Sequence, residues 1–213
     1  MSTNHQDRFT SEARMVELIG PFLSAGKVNE QATAKAWKLI GRYESLRAVV
    51  ALPQETLVRE GLSEAQAYRV KSVMPLASAV FEDGLRDGKR AFCGSQDAAD
   101  FVRAKIGLSE REVFAAAFLD TRHRLLKFEP LFFGSIDRAS IFPREIVKRA
   151  LELNAAAILF AHNHPSGVAE PSVSDIELTE RLVSVFKELD IRVLDHLVVG
   201  GDQVISMAER GLI

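Results

Sequence analysis

Residues 155–167 read AAAILFAHNHPSG, a short apolar run that ends in two histidines and a turn. An apolar run of this length, bounded by polar and turn-forming residues, indicates a buried β-strand. Side chains two residues apart on a strand lie on the same face, so His162 and His164 point the same way, roughly 7 Å apart along the backbone. The sequence therefore predicts two imidazoles that converge at the end of a strand.

A helix is predicted directly after this turn. Residues 171–175 begin it, and the apolar residues that follow recur at helical spacing. These residues are Ile176, Leu178, Leu182, Val183, Phe186 and Leu189. Asp175 falls in the first helical turn, where its carboxylate can meet the two histidines. Ser172 and Asp175 also match a capping box, so Asp175 has two possible roles, metal ligand and helix cap.

Two imidazoles and one carboxylate suit a zinc ion with an open fourth position. Catalytic zinc sites keep that position for water, whereas structural zinc sites are closed and rich in cysteine. The chain has one cysteine, Cys93, far in sequence from the histidines. The pattern therefore indicates a catalytic site with zinc as the cofactor. Hydrolysis there also needs a general base to take a proton from water.

The pattern His162-x-His164-Pro165, followed by Ser172 and Asp175, resembles the JAMM metal motif of the JAB/MPN metalloprotease superfamily. That superfamily includes isopeptidases that remove ubiquitin-like tags. The resemblance implies that the two histidines and the aspartate bind zinc, with water as the fourth ligand. It also implies that Ser172 helps to hold the tetrahedral intermediate.

The surrounding sequence narrows the resemblance to one family. The segments PREIVKRA at 143–150 and VLDH at 193–196 are similar to the bacterial RadC family. The resemblance runs from about residue 100 to the C-terminus. It implies a cytidine-deaminase-like α/β/α layered domain of the MPN type.

The resemblance further implies a glutamate on the first strand of the domain that acts as the general base. Glu112 begins the first predicted strand, and Glu129 lies in the second. We favour Glu112, because it starts the first strand and lies at about the expected distance before His162. Glu129 stays an alternative. Glu145 starts a predicted helix, where its charge suits the helix dipole better.

Two further histidines have weaker functional signals. His196 follows a predicted apolar strand and is interpreted as a packed histidine or as support for a ligand, with a direct ligand role as the alternative. His123, between two arginines, is interpreted as a hairpin turn residue.

Composition is typical of a globular protein with one full core and room for a small accessory domain: 213 residues, 47% apolar and 26% charged. No apolar stretch approaches the roughly 20 residues of a membrane span, and residues 1–9 lack a signal-peptide core. Together with the single cysteine, this predicts a cytoplasmic protein without a membrane partner. A net charge of −2 argues against a chain that binds DNA with its whole surface.

Three segments are predicted: a helical domain at 1–82, a linker at 83–97 and an α/β domain at 98–213. Glycines and charged residues in the linker separate helical from alternating patterns. Helices are predicted before it, at 13–23, 29–43, 45–52, 53–60 and 63–81. After it the strands are predicted at 112–119, 124–133, 155–164, 191–199 and 203–206, with helices at 143–153 and from 171. Strands that alternate with helices favour a layered α/β domain.

RadC proteins usually carry an N-terminal module that resembles helix-hairpin-helix DNA-binding units. This chain departs from that pattern, because its hairpin glycine, Gly61, is flanked by Glu60 and Glu64, which repel phosphate. DNA binding by residues 1–82 is therefore a lesser expectation. Docking of a protein partner and packing on the catalytic domain are equal alternatives.

Two functions remain open from the sequence. The first is a zinc-dependent hydrolase of peptidase or isopeptidase type, in which Glu112 deprotonates water that attacks an amide carbonyl of a peptide or protein substrate. The second is a non-enzymatic adaptor, DNA-repair-associated or protein-binding, that retains the metal site for folding. The change Glu112→Gln separates them, because it abolishes hydrolysis under the first and alters nothing under the second.

Overall fold

The structure is a computed structural model that describes residues 5–24, 26–86, 92, 94–134 and 141–213, with backbone alone at 5–10, 81 and 86. Cys93 lies outside the described residues. The chain divides into two compact units, Met1–Ala77 and Ser78–Ile213. Among the described residues, no helix combines the length and the hydropathy needed to cross a bilayer.

The first unit is helical, as predicted. Side chains of Asn29 and Ser45 accept hydrogen bonds from backbone N–H groups at the starts of two of its helices, which satisfies donors that lack a partner within the helix. Leu39, Ile40 and Leu57 are fully buried in its core. Its elements are α1 (His5–Ile19), a 3-10 turn (Gly20–Leu23), α2 (Glu30–Tyr43), α3 (Leu46–Ala51), α4 (Gln54–Arg59) and the start of α5 (Glu64–Arg86).

Glu60 in this unit differs from its interpretation as a free acidic charge beside Gly61. It is 8% exposed, and its carboxylate lies 2.9 Å from Arg42 and 3.4 Å from Lys38 and accepts a hydrogen bond from Tyr43 at 3.0 Å. Two cations therefore compensate its charge. Glu60 therefore contributes little to the phosphate repulsion predicted at this hairpin, because its carboxylate is buried within the unit and paired with these cations.

The second unit contains a five-stranded sheet in the order β2-β1-β3-β4-β5. The pair β3/β4 is parallel, and the other neighbours are antiparallel. Parallel neighbours need a crossover, which α8 supplies. The elements are α6 (Ser95–Ile106), β1 (Val113–Leu119), β2 (Leu125–Phe133), α7 (Pro143–Glu152), β3 (Ala157–His164), α8 (Val173–Lys187), β4 (Arg192–Gly200) and β5 (Gln203–Ser206).

Helices cover both faces of this sheet, which confirms the predicted α/β/α layering. On one face α7 and α8 pack against the strands through Ile146, Leu182 and Phe186, which meet Phe114 and Phe160. On the other face α6 packs against alternate strand residues. Because both faces are covered, β1 and most of β3 are buried along their length.

Helix α6 is not among the helices predicted from the sequence. Ala98, Phe101, Val102 and Ile106 recur at helical spacing and are all buried against the sheet, so the signal was present. The residues predicted as a linker, 83–97, include the last turn of α5 and the first turn of α6. The division between the two units falls at Ala77, inside α5.

Candidate metal centre

Three side chains meet at the carboxyl end of β3. His162 and His164 lie near the end of that strand, and Asp175 lies in the first turn of α8, the next element along the chain. The Nε2 atoms of the two histidines are 2.9 Å apart. Asp175 Oδ1 is 3.3 Å from His162 Nε2, and Asp175 Oδ2 is 3.6 Å from His164 Nε2. The structure thus brings together the three residues that the sequence predicted to converge.

Burial of this cluster is one-sided. His162 is 0% and Asp175 is 1% exposed. The His164 side chain is 19% exposed. Solvent therefore reaches the cluster from the side of His164.

The outer nitrogen of His164 is bonded to the protein. Its Nδ1 lies 2.7 Å from the carbonyl oxygen of Val168. A carbonyl only accepts hydrogen bonds, so Nδ1 carries the hydrogen. In the neutral ring Nε2 then presents a lone pair, which points into the cluster and is available to a cation.

The loop that carries the Val168 carbonyl lies against the end of β4. Gly167 has a φ of +85°, and its N–H bonds the carbonyl of His164 at 3.0 Å, which confirms the predicted turn. A Cβ atom at Gly200 would lie 2.3 Å from backbone atoms of Val168 and Ala169. Glycine at position 200 therefore lets the loop approach closely enough to reach His164.

Asp175 serves as helix cap and faces the cluster at the same time. Its Oδ2 accepts hydrogen bonds from the Ser172 N–H and hydroxyl, both at 2.7 Å, and its N–H donates to Ser172 Oγ at 3.2 Å. This is the predicted capping box. Oδ1 stays directed at His162. The two roles that the sequence left open, helix cap and metal ligand, are geometrically compatible. Oδ2 accepts the capping hydrogen bonds, while Oδ1 faces His162.

The carboxylate of Asp175 is ionised near neutral pH. Burial by itself would raise its pKa, but where no metal cation is bound, the hydrogen bond and charge interaction with a protonated His162, together with the hydrogen bonds from Ser172, outweigh burial and hold the pKa below the ordinary aspartate value. A buried negative charge that faces two imidazole nitrogens favours a bound cation.

The donor set and spacing fit a zinc ion. Three ligand atoms at about 2.1 Å from one tetrahedral ion lie about 3.4 Å from one another. The separations of 2.9, 3.3 and 3.6 Å bracket that value. These three residues form the one such group of potential ligands found among the described residues. Two imidazoles and one carboxylate match the composition of catalytic zinc sites.

Glu112 directly precedes β1 and is half-buried. In the β1/β3 pairing Phe114 lies opposite His162, and continuing this register by two residues puts Glu112 opposite His164. Phe114 shares a face with His162, because its ring packs on His196 at 5.5 Å. Alternation along the strand therefore directs position 112 toward the face that carries the cluster.

Glu129, the alternative base, lies farther along the sheet and is engaged elsewhere. It pairs with Ala116, two residues beyond Phe114. Both of its oxygens accept hydrogen bonds from Arg149, at 2.6 and 2.7 Å. The hydrogen bond from Arg149 lowers its pKa, and burial only partly opposes this effect. A carboxylate held by a permanent cation is a poor proton acceptor, which argues against Glu129 as the base.

Asn163 is a residue whose role the sequence analysis missed. It points to the opposite face from the two histidines, where its Oδ1 accepts from the Val113 N–H at 2.9 Å. Its amide group donates to the carbonyls of Ser109 and Arg111, at 3.2 and 3.1 Å. Asn163 therefore holds the backbone on both sides of Glu112. A polar side chain inside a buried strand was the available signal, because such groups need partners.

His196 lies behind His162, as the sequence interpretation of a supporting histidine predicts. Its Nε2 is 2.8 Å from His162 Nδ1. Burial, together with the charges of the neighbouring histidines, holds the pKa of His196 well below the usual histidine value. His123 has a φ of +58° in the β1–β2 hairpin and confirms its prediction as a turn residue.

The mixed sheet, the histidine pair at the end of β3 and the aspartate in the first turn of α8 define an α/β domain of the JAB/MPN class. Residues 92–212 match the family model described as RadC-like JAB domain. The chain belongs to the RadC family, which confirms the resemblance seen in the sequence.

Relatives in several bacteria are similar over nearly the whole chain. A UPF0758 protein of Marinobacter nauticus is 44% identical over 197 residues, which cover 92% of this chain and 88% of the relative. UPF0758 proteins of Pseudoalteromonas atlantica and Vibrio cholerae are each 42% identical over 198 residues, with the same coverage of both chains. These names state no activity, so the functional argument depends on the site.

Proposed function

We propose that this protein is a zinc-dependent hydrolase of peptidase or isopeptidase type, with the metal held by His162, His164 and Asp175. The observation that carries the proposal is the convergence of two imidazole Nε2 atoms and an ionised carboxylate within 3.6 Å of one another. The other ring nitrogen of each histidine is bonded within the protein. Such a set of atoms is complete only with a cation among them.

Zinc at this site would supply a Lewis acid that polarises the substrate carbonyl and lowers the pKa of a coordinated water. The remaining steps belong to residues of the chain. Glu112, opposite His164 on the accessible side, takes the proton from the attacking water and delivers it to the leaving amine. Asn163 fixes the backbone around this glutamate and so supports its position.

Ser172 is proposed to stabilise the oxyanion of the tetrahedral intermediate. In the structure its hydroxyl donates to Asp175 Oδ2. The Ser172 N–H donates to the same oxygen at 2.7 Å. The hydroxyl can therefore turn toward a substrate while Asp175 keeps one hydrogen bond at that oxygen.

The test compares the wild-type chain with Glu112→Gln after both are offered zinc. Elemental mass spectrometry measures zinc per chain, and a peptide library made from a bacterial proteome is searched for new N-termini. We expect both proteins to hold about one zinc, and cleavage by the variant to fall by at least about 100-fold, the usual contribution of a general base. Glu129→Gln is the matched control and keeps its activity.

Each failure has its own meaning. A folded wild-type chain without zinc would overturn the metal site. Zinc binding without cleavage would overturn the hydrolase and leave the adaptor function. Full activity in Glu112→Gln together with loss of activity in Glu129→Gln would reverse the choice of base.

A further inference from the structure

A chain of buried polar groups runs behind the candidate metal centre. His162 Nδ1 lies 2.8 Å from His196 Nε2, and His196 Nδ1 lies 2.5 Å from Thr179 Oγ1. Thr179 Oγ1 in turn lies 2.6 Å from the backbone carbonyl of Asp175. His162, His196 and Thr179 are each 0% exposed. We call this series of hydrogen bonds the His162–His196–Thr179 relay.

The last acceptor sets the direction of the relay. A backbone carbonyl only accepts, so the single hydroxyl hydrogen of Thr179 goes to Asp175. Thr179 Oγ1 then accepts from His196, which places the ring hydrogen of His196 on Nδ1. His196 Nε2 is left with a lone pair and accepts from His162 Nδ1. The second nitrogen of His162 therefore presents its own lone pair to the cluster.

The opposite direction would disable His162 as a ligand. If Thr179 donated to His196, each ring hydrogen would move to the other nitrogen, and His162 Nε2 would carry a hydrogen into the cluster. Met207 Sδ also lies near the Thr179 hydroxyl, at 3.7 Å. A thioether sulfur is a weak acceptor and does not compete with a carbonyl for the hydroxyl hydrogen. The rings of Phe114 and Phe160 pack against His196 at 5.5 and 6.3 Å and offer it no polar partner.

The position of His196 is itself firmly held. The backbone N–H of His196 donates to Asp195 Oδ1 at 2.7 Å, and its backbone carbonyl accepts from the Met207 N–H at 3.1 Å. Asp195 also accepts hydrogen bonds from Ser206 at 2.5 Å and from the Ala208 N–H at 3.0 Å. These bonds tie β4 to the segment after β5. The backbone of His196 is therefore fixed, and its buried ring is oriented by the contacts with Thr179 and His162.

We infer that His196, oriented by Thr179, is a positioning residue that selects the metal-binding tautomer of His162 and couples the two elements that carry the ligands. The relay starts at a ligand on β3 and ends at the backbone of Asp175, a ligand on α8. The inference rests on the proposed function, because the metal it supports is the one proposed above. Groups that hold a ligand histidine in this way commonly strengthen metal binding.

The first experiment measures zinc affinity of the full chain by competition with a chelator. His196→Met fills similar space without an acceptor, whereas His196→Gln restores an oxygen that can accept from His162. We expect about 10–100-fold weaker zinc binding for the methionine variant and a loss of no more than about threefold for the glutamine variant. Thr179→Val and Thr179→Ser form a second matched pair with the same expected order.

A second readout reports the tautomer directly. Long-range nitrogen–proton NMR correlation of ¹⁵N-histidine protein distinguishes the two ring nitrogens. In the zinc-loaded wild type we expect the hydrogen of His162 on Nδ1, as a slowly exchanging signal. In His196→Met this signal is lost to faster exchange with solvent. A purely structural role for His196 would leave it unchanged.

The outcomes separate this inference from the function on which it rests. A folded wild type that binds no zinc defeats the proposed function. Wild-type zinc affinity in His196→Met, or coordination of His162 through Nδ1, overturns the relay alone. If His196→Met does not fold, judged by circular dichroism of the metal-free chain, the two Thr179 variants decide by the same criteria.

Discussion

Two clusters of ionisable side chains lie on the same face of the sheet and differ in how their charge is balanced. In the first, Glu129 accepts two hydrogen bonds from the guanidinium of Arg149, at 2.6 and 2.7 Å. In the second, Asp175 faces Nε2 atoms of His162 and His164. Arginine stays charged at every relevant pH, so the first pair is electrically complete.

In the second cluster, by contrast, the groups that face Asp175 are imidazoles, which carry no permanent positive charge. The Nδ1 atoms of its histidines are bonded to His196 and to the Val168 carbonyl, so their Nε2 lone pairs and the carboxylate all face one point. Three electron-rich atoms repel one another unless a proton or a metal cation lies between them. The comparison teaches that a buried carboxylate indicates a candidate metal site when the neighbouring side chains donate their hydrogens to other partners and turn lone pairs toward it.

The largest expected effect removes the charge from the second cluster. Asp175→Asn keeps a side-chain oxygen for the capping box but loses the negative charge, so we expect zinc affinity to fall by more than about 100-fold, beyond the effect of removing a supporting group. Chelator competition and elemental analysis measure this. Glu129→Gln, the same chemical change in the first cluster, keeps about one zinc per chain. Equal zinc content in the two variants would erase the distinction between the clusters.

The next effect acts through the loop that bonds His164. A Cβ atom at Gly200 meets backbone atoms of Val168 and Ala169 at 2.3 Å, so Gly200→Ala must displace the loop and with it the Val168 carbonyl. We expect about 10–100-fold weaker zinc binding and a loss of about 1–3 kcal/mol in the free energy of unfolding.

The control for this variant is Gly41→Ala. Gly41 lies inside α2, and a Cβ atom there meets nothing within 4 Å. Replacement by alanine should leave zinc affinity unchanged and stabilise the helix by up to about 1 kcal/mol. Unaltered zinc affinity in Gly200→Ala would show that the Val168 carbonyl is not required to orient His164.

Local pattern was sufficient to predict that His162, His164 and Asp175 converge. The period of a strand puts His162 and His164 on one face, and a helix start puts Asp175 at the adjoining turn. Both rules concern residues that are close in sequence. The same applies to the turn at Gly167 and to the capping box, which the structure shows with both of its hydrogen bonds.

The supporting contacts could not be derived in this way, because they join residues that are distant in sequence. His196 is 34 positions from His162, and Asn163 is 50 positions from Val113. Which nitrogen of a histidine carries the hydrogen depends on such partners and not on spacing. Helix α6 was missed for another reason. Its apolar residues recur at helical spacing in the sequence, but the glycine-containing segment before it was interpreted as a linker that extends to residue 97.

A smaller effect is expected at Asn163, on the face away from the ligands. Asn163→Ala leaves the Val113 N–H and two carbonyls without their partner, which should cost about 2 kcal/mol in the free energy of unfolding. Zinc affinity should stay near the wild-type value. Hydrogen–deuterium exchange should show faster exchange of the Val113 amide, because its acceptor is gone.

Asn163→Asp sharpens this prediction. The aspartate keeps an oxygen for the Val113 N–H but cannot donate to the carbonyls of Ser109 and Arg111. Protection of the Val113 amide should therefore persist, while the free energy of unfolding still falls. If exchange at Val113 is as slow in Asn163→Ala as in the wild type, the side chain does not hold the segment around Glu112.

The smallest effect is expected at the ion pair between Glu129 and Arg149. Glu129→Gln should lower the free energy of unfolding at pH 7 by about 1 kcal/mol, because the pair with Arg149 is partly exposed and solvent screens it. The folded-state pKa of Glu129 lies below its unfolded value, chiefly through the hydrogen bond from Arg149. Its stabilising contribution is therefore present above the unfolded-state pKa of about 4.3 and is lost as the pH falls through the lower folded-state pKa.

Urea unfolding of the wild type and Glu129→Gln, followed from pH 7 downward, measures this difference. The two curves should converge once the pH falls below the lowered folded-state pKa of Glu129, because protonation removes from the wild type the charge that the variant already lacks. Glu145→Gln is the matched control, since Glu145 is exposed and lies 3.7 Å from Arg144, and it should differ from the wild type by less than about 0.5 kcal/mol. A gap between wild type and Glu129→Gln that persists in acid would mean that packing, rather than charge, holds this pair together.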